Sequence, residues 1–314
     1  MINFSKISQE LLKGLPKRQK EVIVRRFGLK TGDKETLEKI GKDFGITRER
    51  VRQIEADGIN KVKPGIKNYQ DAISSFEGHL KQFGGVRRED LLLEELGGPK
   101  NQAFVGFLMT LSDQFKRCKE DDIFFALWTL DDKSLSLCKK GIENLFKKLK
   151  AVGKPISIED KQTLYYLTVS KRIQKNEEEL YGLKEWPEIN PRGVKDKAYL
   201  VLRKEKKPLH FSDIARKIEG SVLQTVHNEL IKDARFVLVA RGMYALGEWG
   251  FYPGQVKDVI ARVLTDSKKP LTKEEVLNKV LEQRMVKSNT VLLNLNNKDY
   301  FLKDSQGKYN VKEA

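Results

Sequence analysis

A chain of 314 residues with 60 Lys and Arg against 44 Asp and Glu carries a net charge of +16 and a pI near 9.5, which suits at least two domains and favours a polyanionic partner such as nucleic acid. No apolar run reaches the length of a membrane span and the N-terminus lacks a signal-peptide core, so the expectation is a cytoplasmic protein with no membrane partner. Cys118, Cys138 and the scattered His79, His210 and His227 lack the number and spacing of a disulfide framework or zinc site, and no phosphate-cradling loop, nucleophile elbow or paired-carboxylate motif appears; the expectation is no metal, no cofactor, no small-molecule substrate and no catalytic residue, hence not an enzyme.

The first predicted elements lie within residues 1–64, which hold 16 Lys and Arg and 9 Asp and Glu, a denser positive excess than the chain average. Leu37, Ile40 and Phe44 recur at helical spacing and predict a short amphipathic helix over 36–43, with Thr36 as its N-cap. Gly45 supplies a tight turn and Thr47 caps the next helix, which has Glu49 in its first turn. At about 100° per residue, Val51, Ile54, Gly58 and Val62 share one side of that helix. Arg48, Glu49, Arg52 and Gln53 fall on the other, within an arc of roughly 140°. Arg pairs bidentately with guanine, Gln with adenine, and Glu accepts from cytosine. Helix, glycine turn and helix is the helix-turn-helix arrangement, whose second member enters the major groove.

These words, with Leu15-Pro-Lys-Arg-Gln-Lys-Glu-Val-Ile-Val-Arg-Arg-Phe-Gly-Leu29 before them and Thr36 through Ala56 containing them, resemble region 4 of the primary, housekeeping sigma factors of bacteria, the sigma-70 family. The resemblance covers about residues 10–64. It implies that the module binds the −35 promoter element of double-stranded DNA and that its other face docks on the β flap of the RNA polymerase core. Carried over, Arg48, Glu49, Arg52 and Gln53 read base edges, whereas Lys42, Thr47 and Arg50 touch phosphates. Val22, Ile23 and Phe27 match apolar core positions. Two features depart from the family. The stretch Ala56-Asp-Gly-Ile-Asn-Lys-Val62 is less basic than the family's and holds Gly58, which inside a helix costs up to about 1 kcal/mol relative to Ala. Region 4 normally ends a sigma factor, whereas here only about ten residues precede it, so a stand-alone promoter-opening factor is not expected.

Beyond residue 64 the chain reads as repeats. Gly153-Lys-Pro-Ile, Lys206-Lys-Pro-Leu and Lys268-Lys-Pro-Leu align on Pro155, Pro208 and Pro270, each between two amphipathic helices. Two units close with Tyr181-Gly-Leu-Lys-Glu-Trp186 and Tyr244-Ala-Leu-Gly-Glu-Trp249, the third with Tyr309-Asn-Val-Lys-Glu313. Three helices followed by a β-hairpin are expected in each, the order of a winged helix. Val222, Val226, Leu230 and Ile231 lie on one third helix; Phe236–Ala240 and Met243–Leu246 form its wing across Arg241-Gly242. Residues 66–130 read as a diverged copy, with helices over 66–83, 88–96 and 101–112 and a last strand over 123–128. Gly84-Gly85 and Gly97-Gly98-Pro99 are loop punctuation, and Trp128, Trp186 and Trp249 are core plugs at wing ends. Residues 196–249, and less sharply 255–312, resemble the HARE-type helix-turn-helix domain shared with the RNA polymerase δ subunit, which implies a module tied to transcription or DNA.

The expected fold is mainly α, an N-terminal helix-turn-helix followed by three or four tandem winged-helix modules with small β-hairpin wings, bounded at 1–64, 65–131, 132–190, 191–251 and 252–314. The expected function is a sigma-like, sequence-specific transcription factor associated with the nucleoid. The alternatives are a δ-like polymerase accessory protein acting mainly by protein contacts, and the DNA-targeting subunit of a restriction or repair system.

Overall fold

A computed structural model describes residues 2–312. The fold is mainly α, with short antiparallel sheets, and divides into two compact units, Met1–Glu185 and Trp186–Ala314.

The first unit opens with α1 (Phe4–Leu11), α2 (Lys17–Phe27), α3 (Leu37–Phe44) and α4 (Arg48–Val62). Thr36 caps α3, its hydroxyl accepting from the Lys39 N–H, and Thr47 caps α4 by accepting from the Arg50 N–H. Between them Gly45 takes the left-handed conformation, φ 65°, that ends α3. Gly58, a weak point for an isolated helix, has a packing reason: a Cβ there would lie 2.8 Å from Ile23 Cδ1, so its absence lets α2 and α4 approach closely.

A 3-10 turn (Lys63–Asn68) leads into α5 (Gln70–Gln82), β1 (Val86–Arg88), α6 (Glu89–Leu111), β2 (Lys116–Cys118) and β3 (Leu127–Thr129). Gly97-Gly98-Pro99 is a kink rather than a loop: helix continues on both sides of Gly98, whose φ is 58° and ψ −168°. The sheet order is β1-β3-β2, with Arg87 and Arg117 both opposite Trp128. Trp128 therefore lies within a strand, unlike Trp186 and Trp249, which follow β5 (Tyr181–Leu183) and β8 (Met243–Leu246) and are half-buried.

The unit ends with α7 (Asp132–Val152), α8 (Lys161–Leu167), β4 (Ile173–Lys175) and β5. Three helices are expected over 132–190, but the described residues hold two before the hairpin. Only residues 168–172 separate α8 from β4, too short a span for another helix.

In the second unit, α9 (Gly193–Glu205), β6 (Leu209–His210), α10 (Phe211–Arg216), α11 (Leu223–Lys232), β7 (Phe236–Ala240) and β8 form one layer of helices on a sheet ordered β6-β8-β7. Ala198, Leu202, Ile214, Val226, Leu230 and Tyr244 form its core. Of the four apolar residues expected on the third helix, Val226 and Leu230 are buried, whereas Val222 and Ile231 are 65% and 62% exposed. Val222 is the N-cap, outside the helix proper, and Ile231 lies about 140° around the helix from the buried Val226. Next come α12 (Val256–Ser267), α13 (Lys273–Gln283), α14 (Ser288–Leu295), β9 (Phe301–Lys303) and β10 (Tyr309–Val311), packed around Ile260, Val276, Val291, Leu295 and Phe301.

The sequence repeat has a structural counterpart. The residue after each aligned proline pairs antiparallel with the closing tyrosine: Ile156 with Tyr181, Leu209 with Tyr244, Leu271 with Tyr309. The residue two places before each proline ends a helix in left-handed conformation: Gly153 at φ 68°, Lys206 at 55° and Lys268 at 50°. Only the first is glycine, and an L side chain there costs roughly 1 kcal/mol. Lys206→Gly and Lys268→Gly are each expected to raise the thermal unfolding midpoint. A fall in either would mean that the lysine side chain contributes more than its strained backbone costs.

Candidate nucleic-acid interface

Helix α4 separates its side chains as the helical period requires. Val51, Ile54, Gly58 and Val62 are buried, whereas Arg48, Glu49, Arg52 and Gln53 are exposed, as are Lys42, Thr47 and Arg50. Val22, Ile40, Val51 and Ile54 form a small core with Leu37, Phe44 and Ile46 packed against it. Of the matched core positions, Val22 and Ile23 are fully buried and Phe27 is half-buried.

The exposed side chains engage each other. The Arg52 guanidinium donates from Nη2 to Glu49 Oε1 at 2.7 Å and from Nε to Oε2 at 2.9 Å. Arg50 Nη1 donates to Gln53 Oε1 at 3.1 Å. The Arg52 hydrogen bonds hold the Glu49 carboxyl below the usual carboxylate range, and Glu49 raises Arg52 in turn. An exposed i,i+3 pair of this kind contributes little stability and is readily exchanged for another partner. Among the described residues the side chains of Arg48 and Lys42 make no hydrogen bond or ion pair.

Behind this ridge stands a cluster that the sequence pattern did not reveal. The Arg25 guanidinium donates to Glu35 at 3.1 and 2.7 Å and also to Asp43, and it lies 5.6 Å from the Phe44 ring centroid. Arg26 donates to Glu55 on α4 at 3.2 Å and to the Glu35 carbonyl. The Arg18 guanidinium lies 5.4 Å from the same Phe44 centroid. Two consecutive arginines of α2 thus tie both ends of α3 and the middle of α4 to one frame. The available signal was the presence of Glu35, Asp43 and Glu55 in a module otherwise dominated by cations.

The frame has a pH consequence. Hydrogen bonds from Arg25 lower the Glu35 pKa below its ordinary value, and Glu35 raises that of Arg25. A depressed carboxylate stabilises the fold fully above its unfolded-state pKa, and the contribution fades as pH falls through the lower folded value. Denaturant midpoints are therefore expected to drop on acidification below about pH 4.3, with a shallower drop in Glu35→Gln. Identical slopes for the two proteins would exclude Glu35 as a contributor.

The module is joined to α6 by a shared apolar core. Phe27 meets Phe107 of α6 edge-on at 5.1 Å. Phe4, Leu12, Leu15, Ile23 and Val62 share one apolar cluster with Val105, Phe107 and Leu108. Helix α6 thereby covers the surface formed by α1, α2 and the end of α4.

Other reactive groups have local partners. His79 Nε2 lies 2.8 Å from Glu95, His210 accepts from the Ser212 N–H at 3.3 Å, and His227 stacks on Phe211 at 4.3 Å. Burial pushes the Cys138 thiol up to about 12. Among the described residues no group of three or more His, Cys, Asp or Glu is placed to hold a metal, and no helix is long and apolar enough to cross a membrane.

Capped helix, left-handed glycine, capped helix and an exposed polar ridge define a helix-turn-helix, the class that presents its second helix to duplex DNA. Residues 11–63 match the family model "Sigma-70, region 4". The "RNA polymerase sigma factor SigA" of Bacillus sp is 47% identical over 55 residues, which are 18% of this chain and 15% of that relative. The N-terminal module is thus related to the sigma-70 family, and the match spans about a seventh of the length of the curated relative.

Proposed function

We propose that this chain is a sequence-specific DNA-binding factor of bacterial transcription initiation or its regulation, sigma-like in its N-terminal module. The observation that carries this reading is the α4 ridge, on a helix-turn-helix that matches sigma-70 region 4. Arg48, Glu49, Arg52 and Gln53 meet base edges of a −35-type element; Lys42, Thr47 and Arg50 meet phosphates. Glu49 then accepts from a cytosine amino group and Arg52 donates to guanine, so that each exchanges its present partner for a base. The protein works as a binder rather than an enzyme, in the cytoplasm at the nucleoid.

RNA polymerase core is the proposed protein partner. Because α6 covers one side of the module, contact with polymerase, including its β flap, uses surface that α6 leaves exposed. The repeats downstream are proposed to be winged-helix modules, HARE-like at 196–249 and 255–312. The order helix, strand, helix, helix, hairpin over 193–246 and the shared proline-to-tyrosine pairing support that assignment.

Selection of bound duplexes from a random pool, with and without polymerase core, tests the reading. Enrichment of a −35-like sequence is the expected result, and enrichment of none would overturn it. About four phosphate contacts would give a slope near −3 to −4 in log K against log salt concentration. A flat salt response would remove the phosphate contacts.

One observation favours a second reading, a δ-like accessory protein. Val222, Leu223, Ile231 and Leu238 are exposed apolar side chains on or near α11 and β7, more suited to protein than to phosphate. Polymerase capture that survives loss of the α4 ridge would support it.

A further inference from the structure

Helix α14 is the last helix before the β9–β10 hairpin, and its surroundings depart from the charge pattern of the chain. No Asp or Glu occurs between Glu282 and Asp299, although 44 of the 314 residues are acidic. Val291 and Leu295 face the core. On the opposite side, one turn apart, lie Asn289 and Leu293, with Thr290 beside Leu293; Ser288, in the first turn, is exposed as well. Leu293 is 75% exposed.

The side chains on this face differ in what they already do. Asn294 donates to the Thr290 carbonyl at 2.8 Å within the helix, and Asn297 accepts from the Asp299 N–H at 2.9 Å in the turn beyond it, so both amides already have local partners. Among the described residues the side chains of Ser288 and Asn289 have no hydrogen-bond partner. Lys287 at the N-cap and Lys298 beyond the C-terminal end flank the strip without a carboxylate partner among the described residues. The hairpin adds Lys303 and Lys308. The acid within the hairpin, Asp304, accepts the N–H groups of Gln306 and Lys308 at 2.9 and 2.8 Å to form the turn, while Lys308 also lies within electrostatic reach of Glu275 on α13.

An uncharged centre with cations around it matches the demands of a duplex groove. Amide and hydroxyl groups pair with base edges, Asn with adenine in particular, and an exposed aliphatic side chain meets the thymine methyl. Lysines at the rim take phosphates, and a strip free of carboxylates avoids repelling them. Helix α11, at the corresponding place in the preceding repeat, lacks these features. It carries Glu229, its Gln224 and Asn228 bond each other at 3.0 Å, and its exposed ends are apolar.

We propose that α14 is a second duplex-reading element. Asn289, Thr290 and Leu293 face the major-groove edges of A·T pairs, and Lys287, Lys298, Lys303 and Lys308 hold the flanking phosphates. This contact is independent of the one assigned to α4.

The test uses the full chain with α4 disabled by Arg48→Ala, Arg52→Ala and Gln53→Ala. Fluorescence anisotropy measures its affinity for A·T-rich and G·C-rich duplexes at low and moderate salt. Residual salt-sensitive binding that favours the A·T-rich duplex is expected. Adding Asn289→Ala and Leu293→Ala should weaken it about 5- to 150-fold and erase the preference. Lys287→Glu with Lys298→Glu should weaken both duplexes alike. All four positions are exposed, so unfolding midpoints should be unchanged. Absence of residual binding, or indifference to the α14 substitutions, overturns the proposal. So does loss of polymerase capture with DNA affinity intact, which would make this a protein-docking face. If the α4 substitutions leave the intact chain's DNA binding unaltered while those in α14 weaken it, the α4 reading fails and this one stands.

Discussion

Phe107→Ala is expected to destabilise the N-terminal unit by about 3–5 kcal/mol and to remove sequence-selective DNA binding with it, although Phe107 belongs to a different helix from the ridge. Its ring is fully buried and meets Phe27 of α2 edge-on. The cluster around it takes side chains from both sides: Phe4, Leu12, Leu15, Ile23 and Val62 from α1, α2, their connection and α4, and Val105 and Leu108 from α6. Deleting the ring opens a cavity that neither side can close without moving the other. A domain is typically stable by about 5–15 kcal/mol, so such a loss would populate unfolded chains and loosen α2, on which the α4 ridge rests. Denaturation followed by far-UV circular dichroism should show a lower midpoint, with DNA affinity declining together with the fraction folded. A helix-turn-helix that folds without α6 would behave otherwise. It would keep its affinity, and a separate transition, in the Phe107→Ala protein.

The same continuity explains which features were legible in the sequence and which were not. The caps Thr36 and Thr47, the turn at Gly45 and the two sides of α4 are local, each set by residues within one or two helical turns, and they appear where the pattern places them. The proline turns are local too, whereas the pairing of the residue after each proline with Tyr181, Tyr244 or Tyr309 joins distant parts of the chain and was visible only as a repeated pattern. The hidden features depend on partners distant in the chain. Arg25 and Arg26 look like solvated helix charges until Glu35, Asp43 and Glu55 are brought beside them. Gly58 looks like a weakness until Ile23 arrives at 2.8 Å from where its Cβ would be. Val222 and Ile231 are apolar but exposed, because one is the N-cap of α11 and the other lies well around the helix from Val226 and Leu230. The missing third helix of residues 132–190 is a matter of length, with only five residues left between α8 and β4.

Arg52 offers the sharpest separation of base reading from phosphate contact. Arg52→Ala is expected to weaken binding to the preferred duplex about 5- to 150-fold and to relax selectivity at one base pair, with the unfolding midpoint unchanged because the side chain is exposed and its partner Glu49 equally so. Arg52→Lys then decides the mechanism. Lysine keeps the charge but lacks the planar fork that meets guanine O6 and N7 together. If Arg52 reads a base, the lysine variant should lose selectivity almost as fully as alanine while keeping the salt slope of the parent protein. If it contacts a phosphate, lysine should restore affinity for every sequence alike, and alanine should reduce the salt slope by about one. Glu49 enters the same comparison. Its present bonds to Arg52 lower its pKa; Glu49→Gln should leave the fold intact yet alter preference at the neighbouring pair, since the carboxamide replaces one of two charged acceptor oxygens with a donor. Unchanged preference in both Arg52→Lys and Glu49→Gln would leave these two residues without a reading role and confine the base contact to Arg48 and Gln53.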